Sequence, residues 1–192
     1  MIREIIVTSW NKAGRTHIAP MGIHDHGQQI LVMPFKPSTT LDNILETGYA
    51  VMNYTDDVRI FAGCLTGHRN WPLCNTEWIE GKRLSEALAH TELKLVDIDD
   101  DAQRPRLVCE ALHEASHHPF RGFNRAQFSV LEAAILVSRL HLLPPEKVAT
   151  EIGYLRIGLD KTAGERELEA WDWLMQRIDE FRTTNPERAG AS

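Results

Sequence analysis

The sequence has few cysteines and no long apolar run, and both shortages exclude classes of protein. Its three cysteines, Cys64, Cys74 and Cys109, form no Cys-x-x-Cys pair, so neither a disulfide framework nor a cysteine zinc site is indicated. No stretch approaches the roughly twenty apolar residues that a bilayer crossing needs. Residues 1–4 also lack the charged-then-apolar layout of a signal peptide. We therefore expect a cytoplasmic protein with reduced thiols and no membrane partner.

An excess of positive charge is missing too. The 192 residues have a formal net charge of −6, which argues against a general nucleic-acid binder, although a local basic groove could still hold a phosphate. The composition is otherwise that of an ordinary globular protein, with 43% hydrophobic and 25% charged residues. A chain of this length can bury a core unaided, and small anionic molecules remain possible ligands.

Residues 1–116 have the pattern of a β-rich domain. β-branched residues dominate residues 2–8, and turn-forming residues follow at 11–14, which predicts a hairpin whose second strand runs through Ile23. Further strands are predicted at residues 30–33, 49–54, 93–98 and 107–112. One short helix is predicted from Thr40 to Thr47. Many strands with one short helix are typical of a β-barrel.

Residues 117–185 have the pattern of a helical subdomain, and residues 186–192 are expected to fray. Apolar residues at helical spacing predict a first helix over 124–142, where Asn124 and Gln127 have the form of a capping box. A second helix is predicted from about Glu146. A third is predicted to open at the capping-box pattern of Thr162 to Glu165. The predicted fold class is thus mainly β with α, a barrel followed by helices.

The short stretch from Lys36 to Thr40 carries the chemistry that suggests a ligand. It follows a strand and opens the helix at Thr40, so it brings together a cation, the hydroxyls of Ser38, Thr39 and Thr40, and unpaired helix N–H groups. A helix start of this kind binds phosphate well. The alternative interpretation is that Thr39 or Thr40 caps a helix that stops at Gly48, and that Lys36 is solvated.

Several elements in register resemble the flavin reductase-like branch of the FMN-binding split β-barrels. They are Gly14–Gly22, Pro34-Phe35, Ser38-Thr39-Thr40, Asn43-Ile44, Thr47-Gly48 and Val51-Met52-Asn53. Within that branch the chain is similar to a little-characterised flavoprotein family that also carries a Gly-Phe-Asn-Arg-Ala element, here Gly122–Ala126, and a Lys-Thr-Ala-Gly element, here Lys161–Gly164. The resemblance covers nearly the whole chain.

The resemblance implies an FMN cofactor and a homodimer. It also implies which residues contact the phosphate and which contact the ring. The Ser/Thr turn, with Lys36 beside it, would hold the phosphate. The strand segment Ala19, Pro20, Met21 and Gly22 would run beside the isoalloxazine ring, since small or flexible side chains leave a flat slot there. Asn53 could hydrogen-bond the ring edge or merely close the sheet.

Arg121 and Arg125 flank the start of the first predicted long helix. A guanidinium fork suits a carboxylate or a phosphate, so Arg121, Asn124 and Arg125 could meet the cofactor phosphate or an anionic substrate if the helices fold over the barrel. The alternative is an ordinary capped helix with two solvated arginines.

Other polar clusters leave the reaction open. His24 and His26 share a spacing that some metal sites use, but no second ligand pair lies nearby, and no metal is predicted. His113, His117 and His118 could supply a general acid or base, or form a polar edge. Two hypotheses therefore remain: an FMN-dependent oxidoreductase, such as a reduced-nicotinamide flavin reductase acting with a small-molecule redox partner, and a non-catalytic flavin-binding or interaction protein. No catalytic residue is predicted.

Overall fold

The computed structural model describes residues 1–27 and 29–185, and the chain divides into two compact units. The first unit comprises Met1–Asp56 and Asn70–Phe120, and the second comprises Asp57–Arg69 and the chain from Arg121 onwards. The sequence places a single boundary at residue 116, whereas the chain passes between these units three times. The predicted frayed tail, 186–192, lies outside the described residues.

The first unit is built on a closed antiparallel barrel of six strands, in the order β1-β2-β3-β8-β7-β4. The strands are β1 (Ile2–Trp10), β2 (Thr16–His26), β3 (Gln29–Val32), β4 (Tyr49–Tyr54), β7 (Ala89–Asp99) and β8 (Arg106–Ser116). Helix α1 (Thr39–Thr47) packs against β1 and β2. A small hairpin of β5 (Leu73–Asn75) and β6 (Lys82–Leu84), which the sequence does not predict, completes the unit.

An apolar core fills the barrel because alternate strand residues point inward. The fully buried side chains of this core include Val7, Val32, Ile44 and Leu93. Helix α1 contributes Leu41 and Ile44 to the same core, which explains the apolar spacing of its sequence. The core therefore fixes α1, and with it the Ser/Thr turn, relative to the barrel.

Of the two predicted ends of α1, one is confirmed and the other is wrong. Gly48 ends the helix as predicted, with a φ of 79°, the left-handed conformation that glycine adopts without strain. The N-cap is Ser38 and not Thr39 or Thr40, since the Ser38 hydroxyl accepts a 3.1 Å hydrogen bond from the Leu41 N–H. Thr39 and Thr40 are the first two residues of the helix.

The second unit contains four helices packed around one apolar core. They are α2 (Arg59–Thr66), α3 (Arg125–Ser138), α4 (Pro145–Thr162) and α5 (Glu165–Thr184). The residues with the least exposure in this core are Ala62, Val130, Ala133, Ala170 and Leu174. Ala62 belongs to α2, so this unpredicted helix is an integral part of the core.

The predicted helix starts and stops are partly wrong. Helix α3 ends at Ser138 and not near residue 142, because the chain tightens into a turn where the Arg139 N–H donates to the Leu136 carbonyl. Gln127 does not complete a capping box, since its amide donates to Glu167 instead. Asn124 does cap α3, as its side chain accepts from the Ala126 N–H at 2.8 Å.

The capping box predicted for the third helix lies two residues further along the chain. Helix α4 extends to Thr162, whose hydroxyl donates to the Gly158 carbonyl within that helix. The N-cap of α5 is therefore Gly164, whose N–H donates to the Glu167 carboxylate at 2.9 Å. Among the helices that the structure describes, none has the length and apolar character needed to span a bilayer.

Candidate functional site

The start of α1 presents backbone donors that the protein leaves unused. Within the described chain, neither the Thr39 nor the Thr40 N–H has a hydrogen-bond partner, whereas the Leu41 N–H is taken by the Ser38 hydroxyl. Thr39 is exposed and Thr40 is buried. Two free N–H groups at the positive end of a helix dipole form a site suited to an anion such as phosphate.

The turn before α1 is held by the loop between β7 and β8. The Lys36 ammonium pairs with the Asp100 carboxylate, and the Lys36 N–H donates to the Gln103 carbonyl at 2.9 Å. Arg104 donates to the Met33 carbonyl at 3.1 Å, and its guanidinium lies 4.9 Å from the centre of the Phe35 ring. Lys36 thus lies on the same short turn as the free N–H groups, with Asp100 as its counter-ion, and Arg104 contacts that turn from the loop between β7 and β8.

The strand segment predicted to run beside the flavin has an open edge. Residues 19–22 of β2 pair with residues 4–7 of β1 on one side. On the other side β3 pairs only with β2 residues 23–26, so no described strand covers residues 19–22 there. All four residues, Ala19 to Gly22, are half-buried. A flat ligand can therefore approach the backbone along this edge without displacing a strand.

Asn53 closes the sheet, which is one of the two roles predicted for it. It is fully buried, and its amide group donates to the Ile6 carbonyl and the Thr8 hydroxyl, both at 3.2 Å, and to the Val51 carbonyl at 3.3 Å. Its amide oxygen accepts from the Leu84 N–H at 2.7 Å. The donors and acceptor of this side chain are therefore used inside the first unit.

The predicted group of Arg121, Asn124 and Arg125 lies in the second unit. Arg121 and Arg125 are exposed at the start of α3. Asn124 is tied to Thr162, donating to its carbonyl at 3.0 Å and accepting from its hydroxyl at 3.1 Å. The Lys161–Gly164 element thus contacts the Gly122–Ala126 element within one unit, and the amide of Asn124 stabilises that contact.

A buried polar network in the barrel was not predicted. The Glu92 carboxylate is fully buried and accepts hydrogen bonds from the N–H groups of Glu77 at 2.6 Å, Trp78 at 3.0 Å and Ile79 at 2.8 Å. It also lies 3.2 Å from Nε2 of His90, which is buried as well. Burial raises the pKa of Glu92, but these hydrogen bonds outweigh it and leave the pKa below its ordinary value. Glu92 is therefore a buried anion.

The histidines predicted as a cluster divide between this network and the surface. His117 Nε2 lies 2.9 Å from Nδ1 of His90, and His113 Nε2 lies 3.0 Å from the Glu77 carboxylate. His118 is exposed, and His117 and His118 both line an open cavity of about 620 Å³. The spacing of His90 and Glu92, two apart on one face of a strand, was a usable signal, but the strand was predicted to start only at residue 93.

A second, larger cleft lies beside the hairpin of β5 and β6. It has a volume of about 920 Å³, and its lining includes Trp10, Tyr49, Trp78, Gly81 and Lys82. Gly81 is required for its shape, because a Cβ atom there would lie 2.3 Å from the Trp10 ring. This cleft was not predicted, since its lining residues come from distant parts of the chain.

Asp57 has a structural role in the second unit. It forms a two-pronged ion pair with Arg59, and Arg59 ties α2 to α5 by also donating to Glu169 at 3.1 Å. His24 lies on β2 opposite Leu31.

Comparison with known proteins shows which family the chain matches. The family described as "protein of unknown function (DUF447)" has an N-terminal domain that matches residues 3–118 and a second part that matches residues 124–176. The uncharacterized protein MJ1453 of Methanocaldococcus jannaschii is 25% identical over 145 residues, which span 73% of this chain and 75% of that protein.

Solved structures show the same fold. The FMN-bound protein MM1853 of Methanosarcina mazei, itself assigned to DUF447, aligns over 92% of this chain and 94% of its own with a TM-score of 0.78 and 22% identity. Flavoredoxin of Methanosarcina acetivorans aligns over 60% and 69% with a TM-score of 0.52 and 16% identity. Flavin reductase HpaC, solved with NADP+, aligns over 64% and 82% with a TM-score of 0.54 and 17% identity. The predicted split-barrel fold is confirmed.

Proposed function

We propose that this chain, which belongs to the DUF447 family, is a cytoplasmic FMN-binding flavoprotein of the flavin reductase-like type. The observation that carries the proposal is that α1, with its unpaired N–H groups, packs against β2, the strand with an open edge. One barrel thus offers an anion site and a flat slot on neighbouring elements. The FMN-bound state of the similar M. mazei protein agrees with this assignment.

The phosphate of FMN would bind at the start of α1. The free N–H groups of Thr39 and Thr40 would donate to its oxygens, and the exposed Thr39 hydroxyl would add a third donor. Lys36 would contribute positive charge, shared with its present partner Asp100. Ser38 would hold the helix start in place, because its oxygen accepts from the Leu41 N–H, and its own O–H could donate to the phosphate as well.

The isoalloxazine ring would lie against the open edge of β2. The small side chain of Ala19 and the flat ring of Pro20 do not obstruct a planar ligand there, and the half-buried backbone of Met21 and Gly22 can meet its polar edge. Asn53 would support this site from inside the barrel without touching the ring, since its hydrogen bonds hold β1 and β4 together.

We also propose that the protein is an oxidoreductase that exchanges electrons with a small-molecule redox partner. Bound FMN supplies the hydride and electron chemistry, so the chain needs only to position the flavin and exclude side reactions. Arg121 and Arg125 are proposed as contacts for an anionic ligand, because both guanidinium groups are exposed at a helix start.

A homodimer is the proposed assembly. The barrel unit exposes several large apolar side chains, among them Ile2, Phe35, Val96 and Ile98. Exposed apolar area of this kind is consistent with a self-complementary surface between two copies. Light scattering at micromolar concentration should give twice the 21.8 kDa mass of one chain, and a flavin-loaded monomer would contradict the proposal.

The cofactor assignment is tested by an absorbance spectrum of the freshly purified protein. Flavin bands, with FMN identified in the released chromophore by mass spectrometry, are the expected result. A colourless protein that also fails to bind added FMN would refute the proposal. Anaerobic mixing with NADH or NADPH then tests the reaction, since a reductase must lose its flavin absorbance on a catalytic time scale. A flavin that neither nucleotide reduces would exclude a reductase that uses NADH or NADPH and leave another electron donor or a non-catalytic role.

A further inference from the structure

We propose that Glu77, His90 and His113 form a binding site for a late first-row divalent metal ion such as Zn²⁺. One donor atom from each of the three residues lies within 4.8 Å of the other two. Two imidazoles and one carboxylate are a donor set suited to Zn²⁺, Co²⁺ and Ni²⁺. The proposal concerns residues that the proposed flavin site does not use, so it stands independently of that site.

The fold brings the three residues together from three elements. His113 lies directly across from Glu92 in the pairing of β8 with β7, and His90 precedes Glu92 by two residues on the same face of β7. Glu77 lies on the loop after β5, and that loop is fixed because Glu92 accepts the N–H groups of residues 77–79. The three donors are therefore held by a rigid ribbon and a loop anchored to it.

His90 has the surroundings of a histidine that binds metal through one ring nitrogen. Its Nδ1 lies 2.9 Å from Nε2 of His117; in the tautomer that binds metal, Nδ1–H donates to His117, and Nε2, which bonds to Glu92 in the metal-free protein, gives its lone pair to the ion. Nε2 lies 3.2 Å from the buried anion of Glu92. A cation beside Nε2 would be stabilised by this fully buried negative charge.

To bind an ion, the donor atoms of His113 and Glu77 need to move only slightly closer to the donor atom of His90. Donor atoms about 3.3 Å apart fit tetrahedral zinc with metal–nitrogen distances of about 2.0 Å. The pair of His113 Nε2 and Glu77 already lies at 3.0 Å. The side chains of His113 and Glu77 are 19% and 50% exposed, so they can shift toward the buried His90 and give the ion a path from solvent.

The test is metal binding to the full-length protein after removal of bound metals with a chelator. Titration with Zn²⁺ against a chromophoric competitor, and with Co²⁺ followed by its visible absorption, should show one equivalent bound with micromolar affinity or tighter. His113→Ala and Glu77→Gln should each weaken Zn²⁺ at least tenfold. Both side chains are partly exposed, so the variants should fold; circular dichroism and the melting temperature without metal verify this.

His118→Ala is the matched control, because His118 is an exposed histidine of the same segment outside the three-residue set. It should bind Zn²⁺ as the wild type does, and the rise in melting temperature on adding Zn²⁺ should persist in it and vanish in His113→Ala. Absence of binding at about 100 μM Zn²⁺ would overturn the three-residue site. An unchanged Zn²⁺ affinity in either His113→Ala or Glu77→Gln would overturn it too. Loss of affinity in His118→Ala equal to that in His113→Ala would overturn it as well.

Discussion

The amide oxygen of Asn53 accepts a 2.7 Å hydrogen bond from the N–H of Leu84, so a barrel strand and the small hairpin are joined by one buried side chain. The same amide donates to three partners on β1 and β4. Because each of these groups is away from water, loss of the amide leaves several polar atoms without a partner. Asn53 therefore links three strands that are far apart in sequence.

Replacing Asn53 by alanine should lower the free energy of unfolding by about 2–4 kcal/mol, since the buried Leu84 N–H loses its acceptor. Urea denaturation followed by circular dichroism measures the loss. Asn43→Ala is the control, because Asn43 is also buried but makes a single side-chain bond, to the Ser9 hydroxyl at 3.1 Å. It should cost about 1 kcal/mol. Equal losses in the two variants would contradict the linking role of Asn53.

Thr39→Ala should weaken FMN binding by about 1–3 kcal/mol, the scale of a hydrogen bond to a charged group, and leave riboflavin binding nearly unchanged. Thr40→Ala keeps the N–H at this position and loses only a buried hydroxyl, so it should change FMN binding much less and mainly lower fold stability. Fluorescence titration of both flavins provides the measurement. Ser38→Ala is the control for capping and should lower stability by about 1 kcal/mol. If Thr39→Ala weakens FMN and riboflavin alike, the phosphate does not bind there.

Asp100→Asn should strengthen FMN binding about two- to fivefold, because it frees Lys36 from a competing carboxylate. The gain is small since the pair is largely exposed and screened by salt. Isothermal titration at low and high salt measures it. Asp99→Asn removes a similar charge that pairs with Arg106 instead, and it should have less effect. A weaker FMN complex in Asp100→Asn would show that Lys36 does not face the phosphate.

Gly81→Ala should destabilise the barrel unit by about 1–3 kcal/mol, because the new methyl group would overlap the Trp10 ring. Thermal unfolding and the fluorescence of the tryptophans report the change. Gly153→Ala is the matched control: Gly153 lies inside helix α4, and a methyl group added there would meet no atom within 4 Å. That variant should gain about 0.5–1 kcal/mol. A neutral Gly81→Ala would mean that Trp10 moves freely.

Cys74 should react with iodoacetamide before the other two thiols. Burial raises the pKa of Cys64 to about 11 and that of Cys109 to about 12, so at pH 8 only about one in a thousand or fewer of these groups is the reactive thiolate. Cys74 is half-buried on the short hairpin. Peptide mass spectrometry after timed alkylation locates the label. Cys74→Ser should abolish the fast phase, and early labelling of Cys109 would indicate that the barrel opens.

The sequence predicted best the parts that depend on local chemistry. Helix α1 and its end at Gly48 followed from apolar spacing and from the residue that most readily adopts a positive φ. The strand pattern indicated a barrel and placed the Ser/Thr turn at a helix start, and the resemblance identified the barrel as a split barrel. Ser38 was included among the site residues, but its role as the cap depends on a choice among three adjacent hydroxyls that side-chain geometry decides.

The parts that escaped prediction depend on contacts between distant residues. Helix α2 begins at Arg59, its N-cap Val58 makes no side-chain hydrogen bond, and it has only eight residues, so neither a capping pattern nor a long apolar period marks it. The network around Glu92 joins His90 to the loop at Glu77, and this loop contact cannot be predicted from the spacing of His90 and Glu92 on their strand. Strands of three residues, such as β5, are too short for alternation to be recognised.

Helix α2 also limits where the chain can be divided into separate fragments. Residues 57–69 precede the last two of the six barrel strands in sequence yet belong to the helical unit, where Val58 and Ala62 lie in the same core as Val130 and Leu174. A recombination event at residue 120 would leave one gene fragment with a helix stripped of its neighbours, and the other with a core that lacks one wall. Neither fragment encodes the complete helical core, so a cut at this point separates α2 from the residues against which it packs.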